Sequence, residues 1–368
     1  MKHEKRNNTG APAGLRVALT GATGFVGSHV AQRLMRQGCE VTCLVRPTSD
    51  LRWIASMPVR TLRLDFEAET DSLEQALEDQ DVVVHLAGAV KAKRPSDFFS
   101  VNVGVTKQIL RAALADRSVN GQAAVLSRRG PKRFVFLSSL AAAGPTGPRA
   151  ERMGLVKKPV SAYGQSKKEA EEALLRFREE IEVVILRPTA VYGPRDLAML
   201  PAFRAAALGL AVEPAGARQQ VSFCHVEDLA QMVAAATMQS VPSGSVIPVA
   251  STGRISMRDF SKTLLRAVDR ALDQTGQSNQ TRRRWPRLHR TIPLPPALLR
   301  LAGLAAGGLA RIMGRAPMLD ADKARELTAG DWVVDEKAAQ RVLGVIPEWS
   351  LDAGLEQTAR WYHSERWL

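Results

Sequence analysis

Over the first half of the chain, two patterns of apolar positions alternate: short continuous apolar runs, and segments with apolar residues at helical spacing. From Leu15 to about Arg187, short apolar, often β-branched runs are separated by segments with apolar residues at helical spacing. Runs that are apolar throughout are typical of parallel strands buried on both faces. The predicted strands are Arg16 to Thr20, Val41 to Val45, Thr61 to Leu64, Asp81 to Leu86, Arg133 to Ser138 and Glu182 to Leu186. This alternation predicts an α/β fold, a Rossmann-type doubly wound parallel sheet.

The regular alternation stops after Pro188, and the remainder predicts a smaller C-terminal substrate-binding lobe. Strand-like pieces at Gln220 to Cys224 and Val246 to Ala250 are mixed with helices at Val226 to Met238 and Met257 to Ala271. A segment at 116–131 is longer than a usual connection between helix and strand, so we interpret it as a surface insertion. The expected organisation is a flexible extension at 1–14, a dinucleotide-binding domain at 15–188, and a lobe at 189–368 of which about 220–250 returns to the first domain.

Composition narrows the class of protein. The chain has 368 residues, of which 45% are hydrophobic and 24% charged, which is ordinary for a folded globular protein. Its three cysteines, Cys39, Cys43 and Cys224, lack metal-ligand spacing, so we expect no metal and a reducing compartment. The N-terminus lacks the apolar stretch of a signal peptide, which favours a cytoplasmic location.

The net charge of +14 is concentrated in one segment. No acidic residue lies between Gln274 and Leu319, where eight arginines fall, and an apolar helical pattern follows the first of them. Arginine and glycine interrupt that pattern too often for a spanning helix. For segment 281–315 two interpretations stay open: an interfacial helix on the cytoplasmic face of an anionic membrane, or ordinary packing with a charged rim. Nucleic acid is not expected as a partner, because Trp285 is the only aromatic side chain beside the arginines.

A glycine-rich turn follows the first predicted strand. The stretch from Thr20 to Gly27 reads TGATGFVG and opens a helical pattern. Gly21 can take the tight turn, Gly24 lets backbone N–H groups approach a pyrophosphate, and Gly27 lets the helix pack on the strand. The positive end of the helix then faces the phosphates. This order predicts a dinucleotide site.

Two further groups of residues predict acid/base chemistry at the same edge of the sheet. Tyr163 and Lys167 stand four apart at the start of a helical pattern, so they project from one face. A neighbouring ammonium would lower the pKa of the phenol and make it a better base at neutral pH. Ser138 and Ser139 end an apolar strand where open α/β sheets bind ligands, although serines also satisfy backbone groups at strand ends.

With these pieces, the chain resembles the extended short-chain dehydrogenases/reductases, the NAD-dependent epimerase/dehydratase superfamily, from Leu15 to its C-terminus. The matching motifs are TGATGFVG at 20–27, HLAG at 85–88, VNVGVTKQIL at 101–110, FVFLSS at 134–139, YGQSK at 163–167, LRPTAVYGP at 186–194 and FCHVEDLA at 223–230. The resemblance implies Tyr163 as general acid/base, Lys167 lowering its pKa and holding the nicotinamide ribose, and Ser139 binding the reacting oxygen. Asn102 matches an asparagine that supports this site, or it caps a helix.

The resemblance also implies the cofactor contacts. Besides Tyr163 and Lys167 they are Gly21, Thr23, Gly24, Phe25, Val26, Gly27, Arg46, Asp65, Leu86, Ala87, Gly88 and Pro188. After the second strand a 2′-hydroxyl normally meets Asp or Glu and a 2′-phosphate meets Arg. Here Arg46 follows the strand and no acid comes before Asp50, so NADP is preferred and NAD stays open. Asp65 resembles the family aspartate near the adenine.

Departures from the family patterns narrow the chemistry. Dehydratases follow the catalytic hydroxyl with Asp-Glu, where this chain has Leu140-Ala141, and epimerases usually carry Asn where Ala190 stands. The pattern resembles most the 3β-hydroxysteroid dehydrogenase and dihydroflavonol reductase branch. This implies hydride transfer at a carbinol or ketone carbon of an apolar, steroid-like or lipid-like substrate, in a homodimer formed through the Tyr163 helix. The alternatives are an NDP-sugar epimerase or reductase, and a non-catalytic NAD(P)-binding scaffold or redox sensor.

Overall fold

The computed structural model describes residues 14–66, 70–115, 130–146, 158–214, 219–274, 289–313 and 319–368. Most of the predicted extension and insertion, and the arginines at 282–287, lie outside these ranges. A π-helical turn at Ser100–Val105 and a 3-10 turn at Leu140–Ala142 accompany the regular elements of the first half. Those elements are β1 Arg16–Thr20, α1 Phe25–Arg36, β2 Glu40–Val45, β3 Arg60–Arg63, α2 Thr70–Leu77, β4 Val82–His85, α3 Pro95–Phe99, α4 Thr106–Leu114, β5 Arg133–Leu137, α5 Ala162–Leu175 and β6 Glu182–Pro188.

The second half supplies shorter strands and longer helices. They are β7 Ala190–Tyr192, α6 Leu200–Ala207, β8 Leu210–Pro214, β9 Gln220–Val221, β10 Phe223–His225, α7 Val226–Met238, β11 Ser245–Val249, β12 Ile255–Ser256, α8 Met257–Gln274, β13 Arg290–Leu294, α9 Pro296–Ile312, α10 Ala321–Thr328, α11 Ala338–Leu343 and α12 Leu351–Ser364. The single strand predicted at Gln220 to Cys224 is in fact two, because Ser222 turns away and donates its N–H to the Trp332 carbonyl.

The central sheet has seven strands in the order β11-β6-β5-β4-β1-β2-β3, and every neighbouring pair is parallel. The predicted Rossmann-type fold is therefore confirmed, with β11 added at one edge. In chain order, β2 and β3 extend the sheet on one side of β1, whereas β4, β5 and β6 extend it on the other side. A crevice therefore opens between the carboxyl ends of β1 and β4.

Both faces of the sheet are covered. Val17 and Leu19 of β1 pack with α1 and α7 on one face, whereas Ala18 between them packs with α2, α4 and α5 on the other. These three side chains have no exposed surface. A separate apolar core joins α6, α8 and α12 in the C-terminal part. The doubly covered sheet explains why its strands are apolar at every position rather than at alternate ones.

Candidate active site

The glycine turn has the close contacts that a dinucleotide cradle needs. Gly21 has φ +76°, and a Cβ there would lie 2.7 Å from the Ala87 nitrogen. A Cβ on Gly27 would lie 2.0 Å from the Gly21 carbonyl oxygen, so this glycine sets the approach of α1 to the turn. Gly24 is the N-cap of α1, and no side chain of the described residues caps that end. The N–H groups of the first turn are therefore not used by a capping side chain of the described residues, which leaves them available to a pyrophosphate.

A buried chain of hydrogen bonds links the loop after β4 to Asn102. The Ala87 N–H donates to the Thr20 hydroxyl (3.2 Å), which lies 2.6 Å from His85 Nδ1. His85 Nε2 lies 2.9 Å from the Thr106 hydroxyl, and that hydroxyl donates to the Asn102 carbonyl (2.7 Å). Since the Thr106 proton is already used, Nε2 carries the imidazole proton and Nδ1 accepts from Thr20. Burial lowers the pKa of His85 to about 3, so the ring is neutral.

Asn102 holds the loop that borders the reacting centre. Its Oδ1 accepts the Ala89 N–H (2.8 Å), while its Nδ2 donates to the Ala89 carbonyl (3.1 Å) and to the Ser166 hydroxyl (2.9 Å). The residue lies within the π-helical turn. Its side chain therefore binds the loop after β4 and does not cap a helix. A Cβ on Gly88 would lie 2.9 Å from Asn102 Oδ1 and 3.1 Å from Lys167 Nζ, so a larger residue there would displace these two side chains.

Ser139, Tyr163 and Lys167 meet at the carboxyl end of β5. The Ser139 hydroxyl accepts the Ala141 N–H at the start of the 3-10 turn and is hydrogen-bonded to the Tyr163 phenol. The Tyr163 ring packs edge-on against Phe98, with ring centres 5.8 Å apart. Lys167 Nζ donates to the Leu137 carbonyl (2.9 Å). The structure thus brings together the three side chains that the sequence predicts at this edge.

Burial dominates the ionisation of these groups. It raises the pKa of Tyr163 to about 12, an effect that the Ser139 hydrogen bond partly offsets and the Glu326 charge reinforces. It lowers the pKa of Lys167 to about 8 against the opposing charge of Glu171. The prediction that Lys167 lowers the phenol pKa stays a prediction: the ammonium binds the Leu137 carbonyl, and burial raises the pKa of Tyr163 overall. At neutral pH the phenol is a proton donor.

The second serine of the pair has a structural role. Ser138 is buried, and its hydroxyl donates to the carboxylate of Glu171 on α5. The same carboxylate forms a bidentate ion pair with the Arg187 guanidinium of β6, with nitrogen-to-oxygen distances of 2.9 and 2.5 Å. Glu171 has only 2% of its surface exposed. This cluster fastens α5 to β5 and β6. Glu171 and Arg187 were not among the predicted site residues, because a carboxylate on a helix and an arginine in a strand carry no local signal of being paired.

Basic side chains border the end of β2, where the adenosine ribose lies in Rossmann folds. Arg46 is exposed there, and Arg63 at the end of β3 donates to the carbonyls of Arg46 and Pro47. Asp50 is held by Arg52, with a nitrogen-to-oxygen distance of 2.7 Å. Arg63 was not among the predicted site residues. Its signal is the strand register, since Arg63 pairs with Val45, immediately before Arg46.

The remaining predicted cofactor contacts line the same crevice edge. Leu86, Ala87 and Gly88 follow β4, Asp65 follows β3, and Pro188 ends β6. Thr23, Phe25 and Val26 lie in the glycine turn and the first turn of α1. Parallel strands bring their carboxyl ends together, so all of these positions lie at one side of the sheet.

Residues 17–250 match the family model described as the NAD dependent epimerase/dehydratase family. A ceramide reductase of Caulobacter vibrioides (strain NA1000 / CB15N) is 26% identical over 361 residues, covering 96% of both chains. A UDP-glucose 4-epimerase of Vibrio cholerae is 26% identical over 362 residues, covering 94% of both chains. In fold, the chain is similar to the UDP-N-acetylglucosamine 4-epimerase of Methanobrevibacter ruminantium M1 solved with UDP-N-acetylmuramic acid: TM-score 0.70, 19% identity, and coverage of 96% of this chain and 99% of that one.

Proposed function

The chain belongs to the NAD dependent epimerase/dehydratase family, and on that premise we propose that this NAD(P)-dependent enzyme transfers a hydride at a carbinol or ketone carbon of an apolar, lipid-like substrate. The observation that carries the proposal is the convergence of Ser139, Tyr163 and Lys167 at the carboxyl end of β5. The glycine cradle of β1 and α1, too tight for any Cβ at Gly21 or Gly27, fits the dinucleotide. When bound, the nicotinamide supplies or accepts the hydride.

Tyr163 is the general acid in the direction of reduction. Its raised pKa keeps the phenol protonated at neutral pH, ready to donate to the carbonyl oxygen as negative charge develops there. Ser139 supplies a second hydrogen bond to that oxygen. Lys167, with a pKa of about 8, carries a proton on most molecules at neutral pH and stabilises the tyrosinate that remains.

Apolar side chains near the crevice favour an apolar substrate. Val90, in the loop after β4, and Leu197, in the loop after β7, are 70% and 58% exposed. Burial raises the pKa of Asp196, in the loop after β7, to about 6, and the charge of Lys91, in the loop after β4, acts against that rise. The ceramide reductase, similar over nearly the whole chain, supports a lipid-like substrate and the dehydrogenase and reductase branch.

The second candidate function is an NDP-sugar epimerase or reductase. The UDP-glucose 4-epimerase, equally similar in identity, supports it. Leu140 and Ala141, both buried, follow the catalytic serine in place of an acid and a base, which disfavours dehydratase chemistry. A non-catalytic scaffold or redox sensor would have no use for the three converging side chains.

The cofactor and the partners are finer parts of the proposal. The guanidinium groups of Arg46 and Arg63 at the ends of β2 and β3 support NADP over NAD. The family resemblance supports a homodimer formed through α5.

We also propose that α9 contacts an anionic membrane. Leu298, Leu301 and Leu304 are 53%, 63% and 61% exposed on its outer face. The inner face packs on α10 through Gly303, where a Cβ would lie 2.6 Å from the Asp320 carbonyl oxygen. Residues 274–319 contain no acid and eight arginines, which complements anionic headgroups. In the described part of the chain, no helix is long and apolar enough to cross a bilayer.

Replacing Tyr163 tests the proposed function. With a long-chain ketone and NADPH, we expect Tyr163→Phe to lower kcat by roughly two to four orders of magnitude, the value of a positioned proton donor, with cofactor affinity unchanged. Tyr192→Phe is the matched control, because the buried Tyr192 hydroxyl has no partner among the described residues. Wild-type turnover by Tyr163→Phe would contradict the mechanism, and turnover of UDP-sugars alone would favour the second candidate.

A further inference from the structure

The catalytic helix is fastened at its first turn by two carboxylates from a distant part of the chain. Asp322 of α10 accepts the N–H of Ala162, the first residue of α5 (3.0 Å). Glu326, one turn further along α10, accepts the hydroxyl proton of Ser161. Ser161 is the N-cap of α5, and its oxygen also accepts the Gly164 N–H (3.0 Å). Tyr163 lies between these anchored positions.

The two carboxylates of α10 are held by neighbouring side chains. Lys323 lies 2.9 Å from Glu326, and Arg325 lies 2.6 Å from Asp322, so each carboxylate has a basic partner on its own helix. The Trp332 indole donates to the Glu326 carbonyl (2.9 Å). Glu326 is 7% exposed, and its hydrogen bond to Ser161 is therefore sheltered from water. Carboxylates at a helix N-terminus are also favoured by the helix dipole.

On the proposed function, in which Tyr163 is the proton donor, we propose that Glu326 is a positioning residue that fixes the first turn of the catalytic helix and keeps Tyr163 in its proton-donating form. The geometry supplies the positioning through Ser161. The charge supplies the bias, because a buried carboxylate hydrogen-bonded to Ser161, two residues before Tyr163, disfavours a second negative charge on the phenol. A residue of the C-terminal lobe, Glu326, thereby influences the phenol proton of Tyr163 in the dinucleotide-binding domain.

Other charged groups near Tyr163 are already paired, or act in the opposite sense. On α5, the charge of Lys167 is opposite in sign to that of Glu326 and its ammonium donates to the Leu137 carbonyl, whereas Glu171 is paired with Arg187. On α3, Asp97 is paired with Arg94. The remaining charged side chains on elements packed against α5 are Lys168, Glu169, Glu172, Lys107, Arg111, Glu182, Asp322, Lys323 and Arg325. Glu326 is the carboxylate whose charge acts on Tyr163 directly.

A tyrosinate titration tests the proposal without any substrate. The chain contains three tyrosines, and burial raises the pKa of Tyr192 and Tyr362 strongly, so the first tyrosinate absorbance after an alkaline pH jump reports on Tyr163. Tyr163→Phe assigns that signal. We expect Glu326→Gln to shift the midpoint down by roughly 0.5 to 1 pH unit, because a negative charge beside the phenol is lost.

Two variants separate charge from structure. Lys323→Glu, at a half-exposed position, adds a carboxylate next to Glu326 that stays charged at alkaline pH, so we expect an upward shift. Glu172→Gln removes a carboxylate from the exposed side of α5, the helix that carries Tyr163, and should leave the midpoint unchanged. In turnover assays of the oxidation direction, Glu326→Gln should raise kcat at neutral pH by about 3- to 10-fold, which is the expected midpoint shift expressed as a rate. A merely structural role would lower kcat instead.

The outcomes are distinct. A midpoint in folded Glu326→Gln that stays fixed or rises overturns the proposal, as does an unmoved midpoint in Lys323→Glu should the first variant fail to fold. The expected shifts without any hydride transfer would retain the link between Glu326 and Tyr163 and reject the proposed function on its own.

Discussion

At the scale of single residues, desolvation determines which groups in the crevice carry charge. Burial lowers the pKa of His85 to about 3 and that of Lys167 to about 8, and it raises that of Tyr163 to about 12. Each shift favours the neutral form. The imidazole is consequently a fixed hydrogen-bonding link rather than a proton carrier, and the phenol holds its proton until an alkoxide or a cofactor charge changes its surroundings.

Arg46 provides a prediction at this scale. We expect Arg46→Asp to weaken NADPH binding by about 10- to 100-fold, the equivalent of one lost charge-assisted contact of roughly 1.5 to 3 kcal/mol, and to leave NADH binding nearly unchanged. Fluorescence titration of both cofactors measures this. Arg36→Asp, the same charge change at the exposed C-terminal end of α1, is the control. Equal NADPH affinity in Arg46→Asp and the wild type would remove Arg46 from the cofactor site.

At the scale of elements, local patterns made most of the sheet predictable from the sequence. Strand β1 and helix α7 have the predicted bounds, since the turn residue Gly21 follows β1 and the N-cap His225 precedes α7. The split of β9 from β10 was not predictable, because it depends on Trp332, more than a hundred positions away. The hydrogen bond of Ser161 to Glu326 was missed for the same reason, and the nearer pair of Glu171 and Arg187 was missed because neither residue carries a local signal of being paired. Tyr163 and Lys167 could be found because helix geometry alone makes them neighbours.

Gly27 provides a prediction at the scale of an element pair. In Gly27→Ala the new methyl group would meet the Gly21 carbonyl at 2.0 Å, so α1 must move away from the turn. We expect a loss of about 1 to 3 kcal/mol in the free energy of unfolding, typical of overpacking, together with weaker binding of both cofactors. Denaturant unfolding and cofactor titration measure the two effects.

Gly308→Ala is the matched substitution for that experiment. A Cβ at Gly308 meets nothing within 4 Å, so the same change should stabilise α9 by about 0.5 to 1 kcal/mol through helix propensity. Wild-type stability and cofactor affinity in Gly27→Ala would mean that α1 does not depend on this close approach.

At the scale of the whole molecule, α9, α10 and α5 form a continuous path from the surface to the reacting centre. The outer face of α9 is apolar, its inner face packs on α10, and α10 binds the first turn of α5 through Asp322 and Glu326. If α9 contacts a membrane as proposed, this order holds the proposed docking surface and the proposed proton donor in one fixed relation.

Membrane docking by α9 is the prediction that belongs to this scale. We expect the full chain to sediment with vesicles containing anionic lipid at low salt and to be released at high salt, since each arginine near the surface contributes about 1 kcal/mol and salt screens it. Leu301→Glu should weaken binding about 10-fold or more by placing a charge in the apolar face. Ile346→Glu, at an equally exposed apolar position beyond α11, should leave it unchanged, because it lies outside the docking face. Binding that ignores lipid charge, or equal binding by Leu301→Glu and wild type, would mean that this face of α9 is ordinary protein surface with arginines nearby.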